Sequence, residues 1–151
     1  MKHIKLALVF TTLFFTTIGY SQKKSTDNFH GAVATLKSYK ALYVINQSDE
    51  KKIKALFKNI NNALEDSRLK GKLQIELIAF GDGVEIYRKT NHYDTLLISL
   101  KSKGVLLAQC ENTMREKKIN KDELWSFVSY VPSGNGEIII RESQGWAIVH
   151  P

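Results

Sequence analysis

Ala41-Leu42-Tyr43-Val44-Ile45 is the stretch whose reading decides the fold. Five apolar residues in a row, without polar alternation, suit a strand buried on both faces. Ser48, Asp49 and Glu50 follow, and such residues cap a helix N-terminus and complement its dipole. Ile53, Leu56, Phe57, Ile60 and Leu64 then recur at helical spacing and give one apolar face, with Gly71 as a helix end signal. Leu73 to Phe80, rich in branched apolar residues, reads as a second strand. Two strands joined through a helix are parallel.

The same alternation continues downstream. Gly81-Asp82-Gly83 reads as a tight turn. Tyr93, Leu96, Leu97 and Leu100 predict a second helix, closed by Gly104. Val105 to Gln109 is a third strand, and a short helix is expected from near Asn112 or Thr113. Asn120 with Glu123 has the form of a capping box for another short helix around Leu124. Phe127 to Val131 is a fourth strand, ended by Pro132-Ser133-Gly134. Glu137 to Gln144 is ambiguous: Ile138-Ile139-Ile140 favours a strand by propensity, while Gly145 just beyond favours a helix C-terminus. Trp146 to Val149 reads as a last short strand. The order β-α-β-α-β-α-β-α-β implies an α/β sheet covered on both faces, mainly parallel and of about five strands.

Upstream, residues 1–21 have the layout of a secretory signal peptide. Lys2 and Lys5 are basic, Leu6 to Ile18 carries no charge, and Gly19-Tyr20-Ser21 offers small residues for cleavage before Gln22. The apolar stretch is short for a membrane span, so no stable membrane anchor is expected after cleavage. The expected organisation is signal peptide 1–21, flexible leader 22–38 and one α/β domain 39–151, with a periplasmic or secreted location. The chain has 22 basic and 15 acidic residues, a formal charge of +7. Losing Lys2 and Lys5 leaves +5. That excess is scattered, which argues against a nucleic-acid stripe. A single cysteine, Cys110, excludes a disulfide framework, so the domain folds on its hydrophobic core.

Ligands of open α/β sheets bind beyond the carboxyl ends of the strands. Here those ends are Asn46-Gln47, Gly81-Asp82-Gly83, Cys110-Glu111-Asn112-Thr113 and Ser133-Gly134, and the only cysteine is in the set. Cys110 also precedes an expected helix, whose first N–H groups and dipole stabilise a thiolate. A nucleophilic or sulfur-carrying thiol and a small, inert residue ending a strand are both open on position alone. His30, His92 and His150 form no metal-ligand spacing with one another or with Cys110, and nothing supports a Cys-His pair through His92. Asp82 and Glu111 would pair as acid and base only if their loops converged. Gly81-Asp82-Gly83 lacks the spacing and the following helix of a dinucleotide site. No metal or cofactor is expected. Trp125 and Trp146 read as core or subunit contacts.

Cys110-Glu111-Asn112-Thr113-Met114 resembles the Cys-x-Asn-Thr-Met segment of DsrE/DsrF-like (YchN-like) proteins. Further marks fall in the same order: Asn59 and Asn62 in the first helix, Gly81-Asp82-Gly83-Val84, Val131-Pro132-Ser133-Gly134, Glu137-Ile138, Gln144-Gly145-Trp146-Ala147 and Pro151. The resemblance covers roughly residues 40–151. It implies a three-layer α/β sandwich that assembles as a trimer or hexamer, and a helix for Glu137–Gln144. It also implies a sulfur relay: a persulfide carried on Cys110, a sulfur donor or acceptor protein as partner, and Asn112 and Thr113 as supports of the loop. Gly81, Asp82, Gly83, Asn112, Thr113, Ser133 and Gly134 are the candidate ligand-binding residues around catalytic Cys110. Where many relatives carry a His ahead of the glycine turn, this chain has Phe80. The alternative expectation is a non-catalytic, oligomeric ligand-binding or assembly module of the same fold.

Overall fold

The computed structural model describes residues 28–150. The expected signal peptide and the start of the expected leader lie outside the described residues. Residues 28–32 fall in a separate N-terminal unit and have no regular secondary structure. The unit from Val33 onward holds every helix and strand among the described residues.

Strand β1 (Tyr39–Ile45) leads through helix α1 (Glu50–Glu65) to β2 (Leu73–Ala79). Asp49 caps α1, its carboxylate accepting from the Lys52 N–H at 2.9 Å. The helix ends earlier than Gly71 suggested. Asp66 leaves helical geometry, and its carboxylate is engaged by the Arg68 side chain and N–H. Gly71 instead supplies a left-handed residue (φ +75°) in the turn before β2. Ile53, Leu56, Phe57 and Ile60 are the buried face of α1, each contributing about 1.5–3 kcal/mol by leaving water.

After β2 the chain does not simply turn. Gly81–Tyr87 and Lys89–Asn91 are 3-10 segments, followed by α2 (Asp94–Ser102), β3 (Leu106–Cys110) and α3 (Glu111–Lys117). The capping box is present: Asn120 accepts from the Glu123 N–H and the Glu123 carboxylate accepts from the Asn120 N–H, around the 3-10 turn Lys121–Glu123. Strand β4 (Ser129–Val131) is shorter than expected: Phe127 lies in a turn closed by the Val128 N–H donating to the Trp125 carbonyl at 3.1 Å, and its ring stacks on Trp125. Helix α4 (Gly134–Ser143) and β5 (Ala147–Val149) complete the domain. The ambiguous segment is therefore helical. Ser133 caps it, its hydroxyl accepting from the Gly136 N–H, and Gly145 (φ +78°) follows its end. Two signals at the ends outweigh three β-branched residues inside.

The sheet is parallel throughout, in the order β4-β3-β2-β1-β5. From β1 to β4 each crossover steps to the next strand in one direction; the last returns across the whole sheet. Right-handed crossovers place those two directions on opposite faces. Helices α1, α2 and α3 accordingly bury Leu56, Leu97 and Met114 with Tyr43, Leu77 and Leu107 on one face. Helix α4 alone brings Ile138 against Leu42, Val44, Ile78, Ala108 and Trp146 on the other. This is the expected three-layer α/β sandwich. No helix among the described residues is long and apolar enough to cross a membrane.

Gly83 is the tightest point of the frame. A Cβ there would overlap the Ile45 carbonyl at the end of β1. Gly83→Ala is expected to destabilise the fold by about 1–3 kcal/mol, the usual cost of overpacking, seen in urea unfolding as a lower midpoint with an unchanged slope. An unchanged midpoint would contradict the packing.

Candidate functional site at the carboxyl edge of the sheet

Cys110 ends β3 opposite Val131 of β4. The connection after β3 runs to α3 on one face; that after β4 runs to α4 on the other. A sheet whose adjacent connections part in this way has its crevice between those two strand ends. Side chains alternate along β3: Leu107 belongs to the α1–α3 face and Ala108 to the α4 face. Cys110, still in extended geometry (φ −71°, ψ 121°), therefore points to the α4 side.

A cavity of about 190 Å³ occupies this crevice, lined by Phe80, Gly81, Cys110, Asn112, Thr113, Glu116, Ser133, Gly134 and Asn135. Cys110 is 4% exposed and is a free thiol. It holds the cap position of α3 without a side-chain cap hydrogen bond, so its sulfur is not committed to the helix. Two bonds fix the loops around it. The buried Thr113 hydroxyl accepts from the Gly81 N–H at 2.9 Å, tying α3 to the segment after β2. The Asn112 N–H donates to the Pro132 carbonyl at 3.3 Å, tying α3 to the loop that starts α4. The Phe80 ring closes one wall. It lies so near Gly134 that a Cβ on residue 134 would meet the ring at 2.7 Å, so this glycine is what lets ring and helix start close together.

Six of the eight expected site residues thus meet in one cavity: Gly81, Cys110, Asn112, Thr113, Ser133 and Gly134. Asp82 and Gly83 do not. Asp82 turns away to pair with Lys117 at 2.6 Å and lines a separate cleft with Ser48, Glu85, Asn91 and Tyr93. Gly83 is packed under the end of β1, a role in folding. Asp82 and Glu111 do not converge, Glu111 being paired with Lys121 at 3.1 Å. His92 does not line the Cys110 cavity. Among the described residues no group of three or more His, Cys, Asp or Glu side chains could hold a metal ion.

Three further residues escaped the sequence reading. Glu116 and Asn135 line the cavity; Glu116 is in the last turn of α3 and Asn135 in the first turn of α4, both past the strand-end motifs. Gln109 is fully buried, and its amide donates to the Cys110 carbonyl at 3.0 Å while its own oxygen has no partner. A polar residue closing an otherwise apolar run beside the cysteine was the available signal.

The sequence profile of the DsrE/DsrF-like family matches residues 39–151. The chain belongs to the DsrE/DsrF-like family. Its fold is accordingly one related to sulfur relay. Among solved structures it is similar to a protein of unknown function from Methanobacterium thermoautotrophicum, at 32% identity and a TM-score of 0.71, over 76% of this chain and 100% of that one. A conserved protein of unknown function from Bacteroides thetaiotaomicron shares the fold at 11% identity and a TM-score of 0.62, over 80% of this chain and 100% of that one. No curated protein matches.

Thr113→Val would leave the Gly81 N–H without its partner. It is expected to cost about 1–3 kcal/mol, read as a lower urea midpoint. Asp82→Asn, which removes only an exposed ion pair, is expected to leave the midpoint unchanged.

Proposed function

We propose that this DsrE/DsrF-like protein carries sulfane sulfur as a persulfide on Cys110. The observation that carries the reading is the position of the one thiol: it lines the cavity at the β3/β4 switch, uncommitted to any cap bond. The transfer balances without an outside oxidant. The Cys110 thiolate attacks the outer sulfur of a hydropersulfide R–S–SH; the Cys110 S–S bond forms, the R–S–S bond breaks, and R–S⁻ leaves with the electron pair. Cys110–S–SH then passes the same sulfur to an acceptor thiolate by the reverse exchange. The low exposure of the thiol suits an intermediate that must be kept from oxidation and from intermolecular pairing.

The partners in this reading are a sulfur donor or acceptor protein and further copies of the chain, as a trimer or hexamer. Support for assembly comes from Leu106, Ile139 and Ile140, large apolar side chains exposed on the α4 side of the sheet. The layout of residues 1–21 supports export, with the mature chain starting near Gln22 and acting in the periplasm or outside the cell, on a domain spanning 39–151. The alternative, a non-catalytic recognition module, is favoured by the burial of Cys110 and by the presence of a single ionisable side chain besides it, Glu116, in the cavity lining.

Incubation with a low-mass hydropersulfide followed by mass spectrometry, denaturing and native, separates the two. The expected result is a gain of one sulfur atom on each chain, removed by a thiol reductant, absent in Cys110→Ser, and carried by a species of three or six subunits. Failure of the wild-type protein to gain reducible sulfur contradicts the carrier reading.

A further inference from the structure

The far flank of α3 carries a second concavity. A cleft of about 560 Å³ lies between α3 and the start of the 3-10 turn Lys121–Glu123. Its floor is apolar: Met114 and Ile119 line it and are 6% and 7% exposed. Its rim carries Arg115, Lys118 and Lys121, all exposed, with Glu111 as the one carboxylate. Three cations against one anion leave a charge of +2 around that floor.

These cations are not spent inside the domain. Elsewhere Arg141 closes on the buried Glu76 of β2 at 2.6 Å, Arg88 on Glu123 at 2.7 Å and Lys117 on Asp82 at 2.6 Å. Among the described residues neither Arg115 nor Lys118 has a carboxylate partner, and the Arg115 guanidinium donates to the neutral Asn112 side-chain oxygen. Lys121 is shared between Glu111 at 3.1 Å and the face of Tyr130, 4.3 Å from the ring centroid. Lys118 holds the left-handed end of α3 (φ 53°), a position that favours glycine or asparagine. A lysine there goes against backbone preference and puts a charge at the lip of the cleft. Cations near a helix C-terminus complement its dipole. That accounts for Arg115 and Lys118, but not for Lys121 or for the apolar floor between them.

The cleft and the Cys110 cavity are two flanks of one helix. Asn112 lines the cavity, and its side chain holds Arg115 of the cleft. A helix with its side chains is about 10–12 Å across, a span that three or four extended residues cover at ~3.3 Å each. A chain anchored in the cleft therefore reaches the thiol with a residue a few places from its anchor. The chemistry of the cleft selects that chain: carboxylates suit the rim and an apolar side chain suits the floor. A basic segment would meet like charges, which suppress a wrong partner.

We propose that this cleft docks an acidic, extended segment of the protein that exchanges sulfur with Cys110. Naming that protein a sulfur partner rests on the carrier reading; the docking itself needs no thiol.

The test is fluorescence anisotropy of a labelled peptide of alternating Glu and Leu residues, titrated with the intact protein at low salt, where charges are least screened. The readout involves no sulfur chemistry, so docking can fail while the carrier reading stands, and the reverse. The peptide is expected to bind about tenfold more tightly than a Lys–Leu counterpart, and more tightly than a Glu–Ser one. Arg115→Glu combined with Lys118→Glu is expected to reverse the first preference. Lys51→Glu combined with Lys58→Glu makes the same change of charge at exposed positions of α1 and is expected to weaken binding by less than about threefold. If the double reversal at the cleft does not fold, Arg115→Gln with Lys118→Asn is expected to cost the acidic peptide about tenfold. Equal affinity for the acidic and basic peptides overturns the docking site. An equal loss from the α1 pair overturns it as well, since that reports general attraction. Equal binding of the Glu–Leu and Glu–Ser peptides does so too, because an unused floor leaves only a site for a small anion. A shift in native mass on the double reversal assigns the cleft to a second copy of the chain and overturns the partner.

Discussion

The reversal of direction after β4 is the constraint on which the rest of the structure depends. Parallel strands can be joined only by crossovers, and crossovers have one hand. Three steps one way put α1, α2 and α3 on one face; the single return puts α4 on the other. The crevice between Cys110 and Val131 follows from that geometry, as does the choice of side chains that line it. The cysteine is at the one place on the sheet where a loop leaves upward and its neighbour leaves downward. The unequal cover of the two faces has the same origin: one helix has to shield what three shield opposite, and Leu106 of β3 stays exposed on that face.

Strength and looseness are distributed around the site accordingly. On the α1–α3 side the frame is rigid, with Gly83 pressed against the Ile45 carbonyl and Thr113 bonded to the Gly81 N–H. On the α4 side the wall is a capped helix start, a glycine under an aromatic ring and one buried ion pair. On the sulfur-carrier reading proposed above, one fixed wall and one yielding wall would let the site admit a partner and then shield the sulfur. Low local stability belongs to elements that move in function.

Much of this was legible in the sequence. The run Ala41–Ile45 gave a doubly buried strand because nothing in it alternates, and the periodic Ile53, Leu56, Phe57 and Ile60 gave the helix because their spacing is 3.6. Strand ends were legible too, which is why six site residues meet as expected. Boundaries failed where local chemistry competed with a generic signal. Gly71 reads as a helix end, but α1 stops at Glu65, where Arg68 bonds the Asp66 carboxylate. Gly81-Asp82-Gly83 reads as a tight turn with candidate ligand-binding residues, but it opens a 3-10 segment in which Asp82 pairs with Lys117 and Gly83 is buried. Ile138-Ile139-Ile140 carried a strand propensity that the Ser133 cap and Gly145 overrode. Glu76 and Arg141, 65 positions apart in sequence, left no local trace; only the crossover of α4 brings them together.

The account stands most directly on where a sulfur added to Cys110 goes. A crystal structure of the protein treated with a small hydropersulfide tests it. The account predicts one extra sulfur on Cys110 Sγ, lying in the cavity between Phe80, Ser133 and Gly134 on the α4 side of the sheet. Sulfur added at any other place, or a Cys110 side chain turned into the packing of α1–α3, would contradict it.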